Sequence, residues 1–200
     1  IDLSGINWTP IGTTSNPFKG TLVGDNSSGL MKRIRNLFYD NTTANYVGLF
    51  GSINTATLQN LILDNVTVRG NSYIGSLSGQ ATNSNISSIE IHLSSLSETA
   101  SNSYAGGLLG SSSNNLISSI YLNIDNLTGN HYTGGISGRS INDNYSTIEI
   151  HINIINGSDY VGGAFGQALS GGVFKNIQAF SGCSICQAIQ GNNYVGGVFG

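Results

Sequence analysis

Two Glu-Ile-His units, Glu90-Ile91-His92 and Glu149-Ile150-His151, and one Cys-x-x-Cys, Cys183 to Cys186, are the residues here whose types and spacing could do chemistry. Carboxylate pairs donate and take protons in glycoside hydrolysis, and carboxylates beside basic residues serve proton abstraction. No Asp-x-Asp pair, Gly-His-Gly turn or basic partner surrounds either glutamate, so no catalytic residue is assigned. Histidines repeated in one context invite a metal reading. No Gly-Gly-x-Gly-x-Asp calcium repeat accompanies them. The two cysteines could form a redox motif, half of a zinc site or a local disulfide. A redox thiol needs a helix N-terminus to lower its pKa and zinc needs two more ligands, so a disulfide is favoured.

The elements that must position these groups are repeats. An aromatic residue followed by spaced glycines recurs seven times, beginning at Phe18, Tyr46, Tyr73, Tyr104, Tyr132, Tyr160 and Tyr194, at intervals of 27 to 34 residues. The consensus is Tyr-x-Gly-Gly-x-x-Gly. A second segment follows each of the first six: Ile34-Arg-Asn-Leu37, Leu58-Gln-Asn-Leu61, Ile86-Ser-Ser-Ile89, Ile117-Ser-Ser-Ile120, Tyr145-Ser-Thr-Ile148 and Phe174-Lys-Asn-Ile177. Alternation then takes over, as in Ile120-Tyr-Leu-Asn-Ile124, which reads as strand with one face in a core.

A period of roughly 28 residues accommodates three short strands with turns, one coil of a right-handed parallel β-helix. Propeller blades are longer, and hairpins need tight turns that these connections lack. The expected fold is therefore all-β, a single solenoid of about seven coils over residues 1–200. Stacking would align Asn36, Asn60, Ser88, Ser119, Thr147 and Asn176 in a polar ladder that satisfies turn backbone groups. The seven aromatics would form a second column.

Stacking also positions the chemistry. Glu90 and Glu149 fall two coils apart, about 10 Å, with Tyr121 between them, and Gln178 extends the same outward rank. His92 and His151 are likewise separated, by Asn123, which is too far for one ion. Asp64 falls beside His92, where a weak surface pair is expected. No metal or other cofactor is expected.

Composition fits this picture. Only 8% of residues are charged and the net charge is −3, so nucleic acid is not an expected partner. Lys19, Lys32, Arg33 and Arg35 crowd the start and read as a solvated turn. No apolar run reaches 18 residues, so no direct membrane insertion is expected, and any export leader is expected upstream or removed. Eight Asn-x-Ser/Thr sequons, at Asn7, Asn26, Asn41, Asn65, Asn85, Asn126, Asn144 and Asn156, fall mostly in outward turns.

The opening Asp2-Leu-Ser-Gly-Ile-Asn-Trp8-Thr-Pro-Ile-Gly12, then Pro17-Phe-Lys-Gly20, Ile34-Arg-Asn-Leu37 and Tyr46-Val-Gly-Leu-Phe-Gly51, resemble the lead-in of GLUG-motif proteins. The later Tyr-x-Gly-Gly-x-x-Gly units resemble the GLUG repeat itself. The motif at Tyr46 is one residue short and the last repeat carries an insertion. The resemblance implies an exported bacterial surface protein whose repeats act as a stalk or binding surface, with no catalytic residues to carry over.

The expected function is a non-enzymatic extracellular stalk or adhesive module at the cell surface. Alternatives are a filament or sheath subunit and a glycan-binding or glycan-processing β-helix. Expected partners are a surface protein or glycan, together with self-association or further repeats at the solenoid ends, where stacked coils need a cover.

Overall fold

The computed structural model describes residues 1–24, 29–169, 171–181 and 188–200. It is an all-β parallel solenoid in which each inner strand pairs in parallel with the coils before and after it. Three sheets run its length. The long-strand sheet contains Thr57–Gly70, Asn85–Glu98, Leu116–Thr128, Asn144–Asn156 and Val173–Ser181. The tyrosine sheet contains Asn45–Val47, Ser72–Gly75, Tyr104–Gly106, Tyr132–Gly134, Tyr160–Gly162 and Val195–Gly196. The third contains Phe50–Asn54, Ser78–Thr82, Leu109–Ser113, Ser137–Ile141 and Phe165–Leu169.

The long strands bend because their alternation is interrupted. Ile86, Ile89, Ile91, Leu93 and Leu96 are all buried, so the two-residue step becomes three at Ile86 to Ile89 and again at Leu93 to Leu96. At the first interruption Ser88 takes a left-handed backbone, φ 53°. Asn60, Ser119, Thr147 and Asn176 do the same at φ 51° to 58° and lie in its column. One left-handed residue turns the chain and restores the inward phase. Left-handed backbone is costly for side chains other than glycine, asparagine and aspartate, so Asn60 and Asn176 suit the corner while Ser88, Ser119 and Thr147 adopt it at a cost.

That property, not hydrogen bonding, is what the column shares. Asn60, Ser88, Ser119, Thr147 and Asn176 make no side-chain hydrogen bond among the described residues, so the expected satisfaction of turn groups is corrected. Asn36 leaves the column altogether. Ile34–Arg35 pairs with Leu63–Asp64, which sets Asn36 beside Asn65. Two near-identical segments lie five residues apart, Leu58-Gln-Asn-Leu61 and Leu63-Asp-Asn-Val66, and the chain uses the second.

The first coil also differs from expectation. Phe18 bridges to Ile53 and its ring lies 4.9 Å from that of Phe50, so it is not in the aromatic column. Thr21–Val23 pairs with Thr57–Gln59 of a long strand. The glycine motif is supplied earlier, where Ile11 bridges to Phe50 and accepts the Gly51 N–H. Seven motif occurrences therefore yield about five coils of roughly 28 residues, preceded by an irregular lead-in.

The motif glycines set the coil spacing. A Cβ on Gly79 would lie 2.5 Å from backbone atoms of Tyr46, and one on Gly110 would lie 2.6 Å from the Tyr73 carbonyl carbon and the Ile74 nitrogen. Backbone from adjacent coils occupies the space of the missing side chain.

Candidate functional site

The outward face of the long-strand sheet gathers the groups with chemical potential. Inward Ile89, Ile91, Ile120, Leu122, Ile148 and Ile150 anchor the core, so the intervening side chains project to solvent. Pairing gives one rank of Glu90, Tyr121, Glu149 and Gln178, as the alternation predicts, which Ile62 extends, and a second of Asp64, His92, Asn123, His151 and Phe180.

Each Glu-x-His unit closes on itself. Glu90 Oε1 lies 2.7 Å from His92 Nε2, and Glu149 Oε1 lies 2.6 Å from His151 Nε2. The coil bearing Tyr121 and Asn123 keeps the two pairs apart. Tyr121 contacts both imidazoles, with ring centroids 6.2 Å from His92 and 5.3 Å from His151. The expected Asp64–His92 pair does not form. Asp64 instead accepts from Arg33 Nη1 at 2.8 Å, because the lead-in coil places that guanidinium closer than the imidazole now engaged by Glu90. These pairs are a third to a half exposed, so each contributes less than about 1 kcal/mol.

Beside this rank the left-handed corner leaves a furrow of about 230 Å³ lined by Ser119, Tyr121, Thr147, Glu149, Asn176 and Gln178. Its hydroxyl and amide groups are not consumed by the fold. Glu149 meets its histidine through Oε1, and its side chain is about half exposed.

On the tyrosine sheet, Tyr46, Tyr73, Tyr104, Tyr132, Tyr160 and Tyr194 form the expected column without Phe18. Successive ring centroids are 4.5 to 5.1 Å apart. Arg139 lies 5.6 Å over Tyr104, and His131 meets the edges of Tyr132 and Tyr160. Most ring faces are covered by neighbouring rings. Loss of hydration, followed by the neighbouring phenols, raises the pKa of Tyr73 and Tyr160.

Over 83 residues, 40% of this chain, the sequence is 37% identical to a protein of Evansella cellulosilytica described as "Putative Gly-rich membrane protein". The chain spans only 9% of that protein's length. No protein-family model and no solved structure matches the chain. The GLUG resemblance therefore rests on the quoted motifs alone.

Three further features escape the sequence reading. Inside the solenoid, Asp143 is fully buried and accepts from the Asn115 N–H at 2.8 Å, Asn115 Nδ2 at 2.9 Å, and the hydroxyls of Ser112 and Ser140 at 2.7 Å. Asn115 in turn accepts the Ser84 N–H. Tyr145 packs beside them, its pKa raised by burial and then by Asp143. The signal was present as Asn83-Ser84, Asn114-Asn115 and Asn142-Asp143, a polar pair before three long strands.

An outer ladder links Asp2 and Ser4 to Asn36, Asn36 to Asn65 and Asn65 to Ser94, at 2.7 to 2.9 Å. Hydrogen bonds from Ser4 and then Asn36 lower Asp2 to about 2. Glu98 is the third feature. It is only 7% exposed and accepts the Asn130 N–H, and desolvation raises it to about 7.

Among the sequons, Asn7, Asn41, Asn65, Asn85, Asn126 and Asn144 are exposed and Asn156 is half-buried. Asn65 already commits Nδ2, the atom that would carry a glycan, to Asn36. Asn26, Cys183 and Cys186 lie outside the described residues.

Proposed function

We propose that this chain is a non-enzymatic module of an extracellular surface protein, serving as a repeat stalk that displays an adhesive face. The observation carrying this reading is the distribution of its chemical groups. Outward side chains lie in ranks along the stack, and the two Glu-x-His pairs are held apart by the Tyr121 coil. Hydrolysis through two carboxyls needs both to face one bond. Here each glutamate is turned to its own histidine.

The relative's description as a membrane protein supports a surface location. Its matched segment is a small fraction of a long chain, as a stalk repeat would be. The motif resemblance to GLUG repeats points the same way.

The test is attachment. Beads coated with this chain should bind cell or matrix surfaces more strongly than albumin-coated beads, and the chain should release no reducing ends from a polysaccharide panel. Absence of attachment together with polysaccharide turnover would overturn the proposal.

A further inference from the structure

We propose that the furrow beside the Glu149 rank is a binding site for a neutral glycan chain lying along the solenoid axis. This inference rests on the adhesive reading above and names its ligand class.

The furrow repeats one unit per coil: Ser119 with Tyr121, Thr147 with Glu149, and Asn176 with Gln178. Coils rise about 4.8 Å, close to the length of one pyranose ring, so an extended sugar chain meets one such pair per sugar. Each pair offers hydrogen-bonding groups that the fold leaves unused. Tyr121, which lines the furrow between the His92 and His151 rings, puts an aromatic side chain beside the sugar.

Other ligands fit less well. A peptide adding by strand pairing needs a free backbone edge, whereas Leu116–Thr128 and Asn144–Asn156, which supply Tyr121 and Glu149, are paired on both sides. The acidic side chain in the furrow lining is Glu149, with Glu90 in the same rank, so the furrow favours an uncharged polysaccharide over an acidic one. A polymer of uncharged hydroxyls matches both the donors and the charge.

Calorimetric titration of the full chain with cellohexaose and mannohexaose, with oligogalacturonate as the anionic comparison, tests this. At least one neutral hexasaccharide should bind, oligogalacturonate at least 10-fold more weakly or not at all. Tyr121→Ala should weaken binding at least 10-fold. Gln178→Ala, a milder change on an exposed side chain, should weaken it several-fold with an unchanged circular dichroism spectrum. Failure of both neutral sugars to bind at millimolar concentration, equal binding of oligogalacturonate, or indifference to both substitutions overturns the site. Bead attachment that persists in Tyr121→Ala and in excess hexasaccharide would sink the glycan inference alone. Loss of attachment by the unmodified chain would sink the adhesive reading itself.

Discussion

Asp143 places a carboxyl group in the core, where its partners are neutral donors from Ser112, Asn115 and Ser140. Deleting it orphans several buried donors at once, each costing about 1 to 3 kcal/mol. Asp143→Ala should therefore lower stability by at least about 3 kcal/mol in denaturant melts, and Asp143→Asn by less. Equal losses would show that packing rather than hydrogen bonding decides the site. Glu98 adds a pH dependence. Its folded pKa of about 7 exceeds the ordinary 4.5, so the folded chain holds that proton more tightly. Stability from this group is present at and below about pH 4.5, falls as pH rises toward 7, and then levels. Glu98→Gln should thus gain on the unmodified chain as pH rises, by about 1 to 3 kcal/mol at pH 8. The same difference at pH 5 and pH 8 would refute the linkage. Thr147 is the strained member of its column, a β-branched residue at φ 58°. Thr147→Asn should raise stability by about 0.5 to 1 kcal/mol, read as a higher denaturation midpoint.

Coil spacing is decided at the scale of the element, by backbone meeting backbone at the motif glycines. Gly110→Ala puts a methyl group where the Tyr73 carbonyl carbon and Ile74 nitrogen lie 2.6 Å away, so coils must separate. A loss above about 3 kcal/mol or failure to fold is expected. Gly5→Ala, at φ +74° with open space around it, should cost only about 1 kcal/mol. Comparable losses in the two variants would discredit the spacing argument. These elements were legible in the sequence because alternating isoleucines and spaced glycines each report a backbone requirement. The outward rank of Glu90, Tyr121, Glu149 and Gln178 followed from the same alternation. Asn36 was not, since two equivalent asparagine segments five residues apart compete for it and only packing chooses. Phe18 misled because an aromatic near glycines at the right interval imitates the motif, although its ring is needed against Phe50. The furrow escaped because it arises from left-handed corners, and Ser84, Asn115 and Asp143 share a column without sharing a residue type.

Across the whole molecule each coil touches chiefly its two neighbours, so stability should behave as a sum of coil and interface contributions. Removing residues 73–103 joins Ser72 to Tyr104 and brings Leu58, Leu61 and Leu63 opposite Ile117, Ile120 and Leu122. The shortened chain should keep its β circular dichroism and a cooperative transition, with a lower denaturation midpoint. Loss of all folded signal would show that the array depends on one particular coil.

The direction of the hydrogen bonds between coils has a mechanical consequence. They run along the stacking axis, so tension between the two ends of the solenoid loads them a coil at a time rather than all together. The molecule should pay out like thread from a bobbin. With 28 residues between paired tyrosines such as Tyr132 and Tyr160, each released coil adds roughly 95 Å of contour at about 3.4 Å per residue. A solenoid built this way lengthens in steps under a tug, absorbing the work one coil at a time.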